Sequence, residues 1–118
     1  MAKKVTRIYT GPDGESHFED TEIAVENKMG INRQSELIKA KEIIFGEQDS
    51  DYKNDWHNAS RRQFVITLEG ECEIEIGDGA KRKFKPGDIL LAEDITGRGH
   101  ITRVVNAKPR KILIVTLE

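Results

Sequence analysis

The chain has 118 residues, 36% of them hydrophobic and 34% charged, which predicts one compact domain over residues 1–118 with a small core. Nineteen basic and 21 acidic residues give a net charge of −2, so neither nucleic acid nor an anionic membrane is an expected partner. No apolar run approaches a bilayer span, Met1-Ala2-Lys3-Lys4-Val5 lacks a secretory leader's apolar stretch, and the lone Cys72 excludes a disulfide framework or a multi-cysteine metal cluster; a cytoplasmic location is expected.

Turn chemistry divides the chain from its start. Gly11-Pro12-Asp13-Gly14 is the first turn, with Val5–Tyr9 before it and His17 and Phe18 after it. In the middle segment Leu37, Ile38, Lys41, Ile44 and Phe45 recur at helical spacing, with Ser35 placed to cap and Gly46 to terminate. Lys39–Phe45 also fits an edge strand, because lysine stems cover apolar surface while their charges stay in water. Further on, Gln63–Leu68 is apolar at both parities, and Glu71 to Ile76 alternates strictly, placing Cys72, Ile74 and Ile76 on one face. Asp78-Gly79 then supplies a two-residue hairpin turn into Lys81–Phe84. Lys85-Pro86-Gly87-Asp88 and Gly97-Arg98-Gly99 mark two more turns. Short strands at this spacing predict an antiparallel β sandwich or barrel.

Ile89–Ala92 and Ile112–Leu117 share the two-sided apolar character of Gln63–Leu68. A solvated outer face is normally polar, so these strands are expected to be covered on both sides. Phe64, Ile66 and Leu68 form one such outer row, worth on the order of 5–9 kcal/mol if fully covered. Val5–Tyr9 of the same chain or a second subunit could supply the cover, and a homodimer is the expectation.

The stretch from Trp56 to Val104 resembles the two motifs of the cupin family. The first runs His-x-His, three or four residues, Glu, six residues, Gly. His57 takes the first histidine position, Ala59 the second, Gln63 the glutamate position, and Gly70 follows six residues on. In the second motif Gly97, two residues and His100 match, with Ile95 and Thr96 in the region of the usual proline; the Pro86-Gly87-Asp88 turn is another common cupin feature. The resemblance implies an all-β fold, a double-stranded β-helix or jelly-roll barrel, and so a strand over the middle segment. It also implies that His57, Gln63 and His100 converge inside the barrel, where cupins commonly hold iron, manganese, nickel or zinc.

The departures bear on chemistry. Three imidazoles and a carboxylate are usual; here the motif offers two imidazoles and an amide, and an amide oxygen is a weak ligand for these metals. His57, Gln63 and His100 are therefore candidate pocket residues first and candidate metal ligands second. Arg61 falls on the His57/Gln63 face by parity and is a further pocket candidate, since a guanidinium grips a carboxylate or phosphate with two bonds; a surface ion pair is its alternative role. His17, Glu93 and Asp94 stand open as further contributors. The Glu71, Glu73 and Glu75 stripe reads as a solvated strand face, Cys72 as a small buried hydrophobe, and Trp56 as a packing residue. The expected function is binding of a small polar or anionic molecule, with or without metal-dependent or histidine acid–base catalysis; the competing expectation is a non-catalytic sensing or interaction module.

Overall fold

The computed structural model describes residues 2–118, which form twelve strands: β1 Ala2–Thr10, β2 Ser16–Ala24, β3 Asn27–Met29, β4 Asn32–Gln34, β5 Ala40–Gln48, β6 Lys53–His57, β7 Gln63–Glu69, β8 Glu71–Glu75, β9 Lys81–Phe84, β10 Ile89–Glu93, β11 His100–Val105 and β12 Arg110–Leu117. Among the described residues no helix is long and apolar enough to cross a membrane. One sheet has six strands in the order β2-β1-β10-β7-β12-β5, a second has four in the order β6-β11-β8-β9, and β3 and β4 pair only with each other. All pairings are antiparallel except β1 with β10, which run parallel with Ile8 beside Ala92.

The two large sheets face each other over a core of Ile8, Cys72, Ile74, Ile76, Phe84, Leu90 and Ala92. The strict alternation of β8 explains its contribution: Cys72 and Ile74, with Ile76 just beyond, are 0%, 2% and 4% exposed. The intervening glutamates lie on the other face, where Arg103 bonds both Glu73 and Glu75 at 3.1 Å. Gly79, at φ 88°, closes the hairpin from β8 into β9, as Asp78-Gly79 predicts.

The middle segment is a strand. β5 lies along β12 at the edge of the six-stranded sheet, with Ile44 opposite Ile114 and Phe45 opposite Leu113. The helical spacing of Leu37, Ile38 and Ile44 therefore corresponds to no helix face: Leu37 is fully exposed and Ile38 half exposed. Backbone pairing to β12, a non-local interaction, outweighs the local pattern.

The N-terminal residues do not cover the outer face of the sheet. β1 pairs edge-on with β10 and β2, so Val5–Tyr9 widens the sheet rather than lying over Phe64, Ile66 and Leu68; Phe64 and Ile66 are half-buried and Leu68 exposed.

Candidate functional site

A cavity of about 160 Å³ lies between the sheets, and His57, Gln63 and His100 all line it. His57 ends β6 and His100 begins β11; the two are direct cross-strand partners, with ring centroids 4.4 Å apart and planes inclined at 60°. Gly99 makes this approach possible. It sits at φ +82°, and a Cβ there would collide with the His57 carbonyl oxygen and lie 2.9 Å from the Asn58 nitrogen, so only glycine fits.

Each imidazole has one nitrogen committed to the protein. His57 Nδ1 donates to the Asp55 carbonyl at 2.7 Å, and His100 Nδ1 bonds Asp94 Oδ2 at 2.5 Å. That leaves Nε2 of each ring for a ligand. Burial lowers the His57 pKa below the ordinary histidine value; the bond to the Asp55 carbonyl opposes it, the neighbouring His100 adds to it, and Asp94 and the Asn54 backbone oppose it. The shift favours the neutral ring, whose Nε2 can accept a proton. Asp94 is fully buried and its Oδ2 also accepts from Ser16 Oγ at 2.7 Å. Its Oδ1 is buried without a hydrogen-bond partner, so Ser16 and His100 carry the whole side-chain stabilisation of the carboxylate.

The remaining candidates separate. Gln63 reaches the cavity from β7, as alternation with Val65 requires, since both line it. Its Oε1 accepts from Arg61 Nη1 at 3.0 Å; Arg61 itself is exposed and is not part of the lining. His17 pairs with Asp13 at 2.9 Å on the surface. Glu93 turns to the opposite side of its strand, bonding Arg7 at 2.6 Å and Arg62 at 2.5 Å. Of the three open contributors, Asp94 alone touches the site, and it does so behind His100.

Two polar lining residues outside the motifs are bonded to each other. Arg110 opens β12 at 3% exposure, and Gln48 ends β5 directly opposite it; both line the cavity. Arg110 donates from Nε and Nη2 to Thr67 Oγ1, at 3.2 and 2.8 Å, and from Nη1 to Gln48 Oε1 at 3.1 Å. Gly70 sets the strand in place: at φ +74° it packs so closely that a Cβ would strike the Pro109 carbonyl oxygen and lie 2.9 Å from Arg110 Cα. The parity of Ile112 and Ile114, both of which line the cavity, is the signal that would have placed Arg110 inward.

These residues do not fit a divalent transition metal. Among the described residues no three His, Cys, Asp or Glu side chains gather as a metal set. The Gln63 oxygen is taken by a guanidinium, which opposes a second cation at the same atom. Two imidazoles without a carboxylate leave such an ion short of both ligands and charge. A larger open groove of about 910 Å³, whose lining includes Lys4, Asp20, Glu22, Arg82 and Asp88, has no imidazole and carries the Arg82–Asp20 ion pair; both candidate imidazoles line the smaller cavity.

No family model matches the chain, and no curated protein does. Solved structures do. A cupin 2 conserved barrel domain protein from Salinispora arenicola is 17% identical with a TM-score of 0.52, over 64% of this chain and 61% of that one; this chain thus spans less than two thirds of that protein's length. A sugar phosphate isomerase from a cupin superfamily, from Silicibacter pomeroyi, is 17% identical with a TM-score of 0.52, over 99% of this chain and 71% of that one. At this identity the likeness shows the fold. The chain is built on the cupin jelly-roll barrel, as its two partial motifs imply.

Proposed function

We propose that this chain binds a small polar molecule in the cavity between its sheets and transfers a proton on it through the His57/His100 pair. The observation that carries this reading is the pair itself. Two imidazoles stand 4.4 Å apart, each with Nδ1 tied to an acceptor and each lining one cavity. Neutral His57 would take a proton at Nε2, while Asp94, hydrogen-bonded to His100, would stabilise that ring when it carries one. Proton transfer next to a carbonyl is the chemistry of isomerisation, and the Silicibacter neighbour is named as an isomerase. No step needs a metal.

The test is solvent exchange. Short hydroxyketones, hydroxyaldehydes and hydroxy acids are incubated with the protein in heavy water, with a chelator present. Protein-dependent deuterium incorporation that His100→Asn reduces at least tenfold supports the proposal. Binding without exchange, unchanged in His57→Gln and His100→Asn, replaces it with the non-catalytic sensing module.

The proposal extends to assembly as a homodimer. Strand register places two apolar rows on the outer face of the six-stranded sheet: Phe45, Leu113 and Ile66 in one, and Ile43, Val115, Phe64 and Leu91 in the other. Phe45 is 74% and Ile43 60% exposed. Beside Leu91, Arg7 and Glu93 form an ion pair, so an apolar centre meets a charged rim, which is the anatomy of an interface. A second copy offers the same face, and two sheets packed about 10 Å apart around a two-fold axis would bury both. Light scattering is expected to give twice the 13.4 kDa chain mass, and Phe64→Glu to return it to one chain that is still folded. A monomeric parent overturns the assembly.

A further inference from the structure

The six-stranded wall holds a charge that the acid–base pair does not use. Arg110 is 3% exposed, and its side-chain partners, Thr67 and Gln48, are both neutral. Arginines on the outer faces of the sheets differ: Arg7 pairs with Glu93, and Arg103 with Glu73 and Glu75. A cation taken out of water with no counter-ion is costly, and proteins retain such groups where something else compensates them. Burial lowers the Arg110 pKa, with Cys72 and Tyr52 opposing, yet a guanidinium keeps its proton in proteins. Three of its five N–H donors are engaged by Thr67 and Gln48. Two are left, on a side chain that lines the cavity.

We infer that the cavity takes the carboxylate of a short organic acid, with Arg110 as its counter-ion. The inference rests on the reading of this cavity as the ligand site and names the ligand's chemistry. Charge selects a carboxylate over a phosphate: Arg110 is the sole Lys or Arg in the lining, so one negative charge is balanced, whereas a phosphate monoester dianion would leave the second uncompensated. Two free N–H groups match the two oxygens of a carboxylate. Size selects a short acid, because about 160 Å³ is below the range of drug-sized pockets. With the carboxylate on the β12 wall, the remainder of the acid faces His57 and His100 on the other.

The experiment compares charged ligands with neutral ones of the same shape. Glycolate, lactate and glycerate, their amides, and inorganic phosphate are titrated calorimetrically into the full chain. At least one acid is expected to bind, with its amide at least tenfold weaker. Arg110→Met is expected to lose about 10- to 100-fold for that acid, the range for hydrogen bonds to a charged group, and Arg110→Lys to lose less. Thr67→Val keeps the charge but removes its anchor; it is expected to weaken the acid and serves if Arg110→Met does not fold. Amides binding as well as acids, phosphate binding more tightly, or Arg110→Met matching the parent each overturn the inference. In the first and third of these outcomes the ligand-site reading survives. If neither acids nor amides bind and solvent exchange is absent too, both fall.

Discussion

The two walls of the cavity handle polarity in opposite ways. On the four-stranded side, His57 and His100 are neutral-capable groups whose second nitrogens are fully provided for, one by a backbone carbonyl and one by buried Asp94. On the six-stranded side, Arg110 carries a permanent charge held only by neutral oxygens. The first wall anchors both imidazoles within the protein. The second lacks a counter-charge, and a group that a fold stabilises poorly without its ligand points to selection for binding. Substitutions on the two walls should therefore separate stability from function.

The largest effect is expected on the imidazole wall. Asp94→Ala removes the acceptor of two buried donors, Ser16 Oγ and His100 Nδ1. Each stranded donor costs roughly 1–3 kcal/mol, and relief of the buried carboxylate offsets part of this, so the loss should be about 2–4 kcal/mol by urea unfolding. On the other wall Arg110→Met loses three hydrogen bonds to neutral partners but also removes a desolvated charge. Its net change should stay within about 1 kcal/mol of zero. Equal losses at the two positions would erase the contrast between the walls.

The same contrast governs what was legible in the sequence. The imidazole wall is carried by spacing: His57, Gln63, Gly70 and His100 occupy motif positions, and alternation within β7 and β8 fixes which side chains turn inward. The hairpin at Asp78-Gly79 is equally local. Arg110 was missed because Ala107-Lys108-Pro109-Arg110-Lys111 reads as a solvated cationic turn. Its inward direction follows only once Ile112 and Ile114 are known to face the cavity. Asp94 was left open because its partners, Ser16 and His100, are 78 and 6 residues away along the chain, and a carboxylate before a glycine turn has the same local appearance whether it caps a loop or braces a histidine. β5 is the reverse case. Its residues suit a helix locally, and pairing to a strand some 70 residues on overrides them.

The smallest expected effect is a pH dependence confined to the imidazole wall. Burial holds the folded His57 pKa below its ordinary value; His100 4.4 Å away acts in the same direction, and the Asp55 carbonyl and Asp94 oppose it. Protons therefore prefer the unfolded chain, where the ring titrates near about 6.5. Between the folded and unfolded values the unfolded state binds more protons, so stability rises with pH in that window. The contribution is complete above the unfolded value and is lost as pH falls through the folded one. The parent also holds His17 and His100, so the comparison is with His57→Gln, which retains them. Unfolding midpoints of the two proteins should draw apart on acidification from about pH 7 to about pH 5, the parent losing more than the variant. A difference that stays flat, or one in which the parent gains on acidification, would mean that the folded pair accepts the proton readily. His57 would then be the donor of the pair, and the roles assigned to the two rings would exchange.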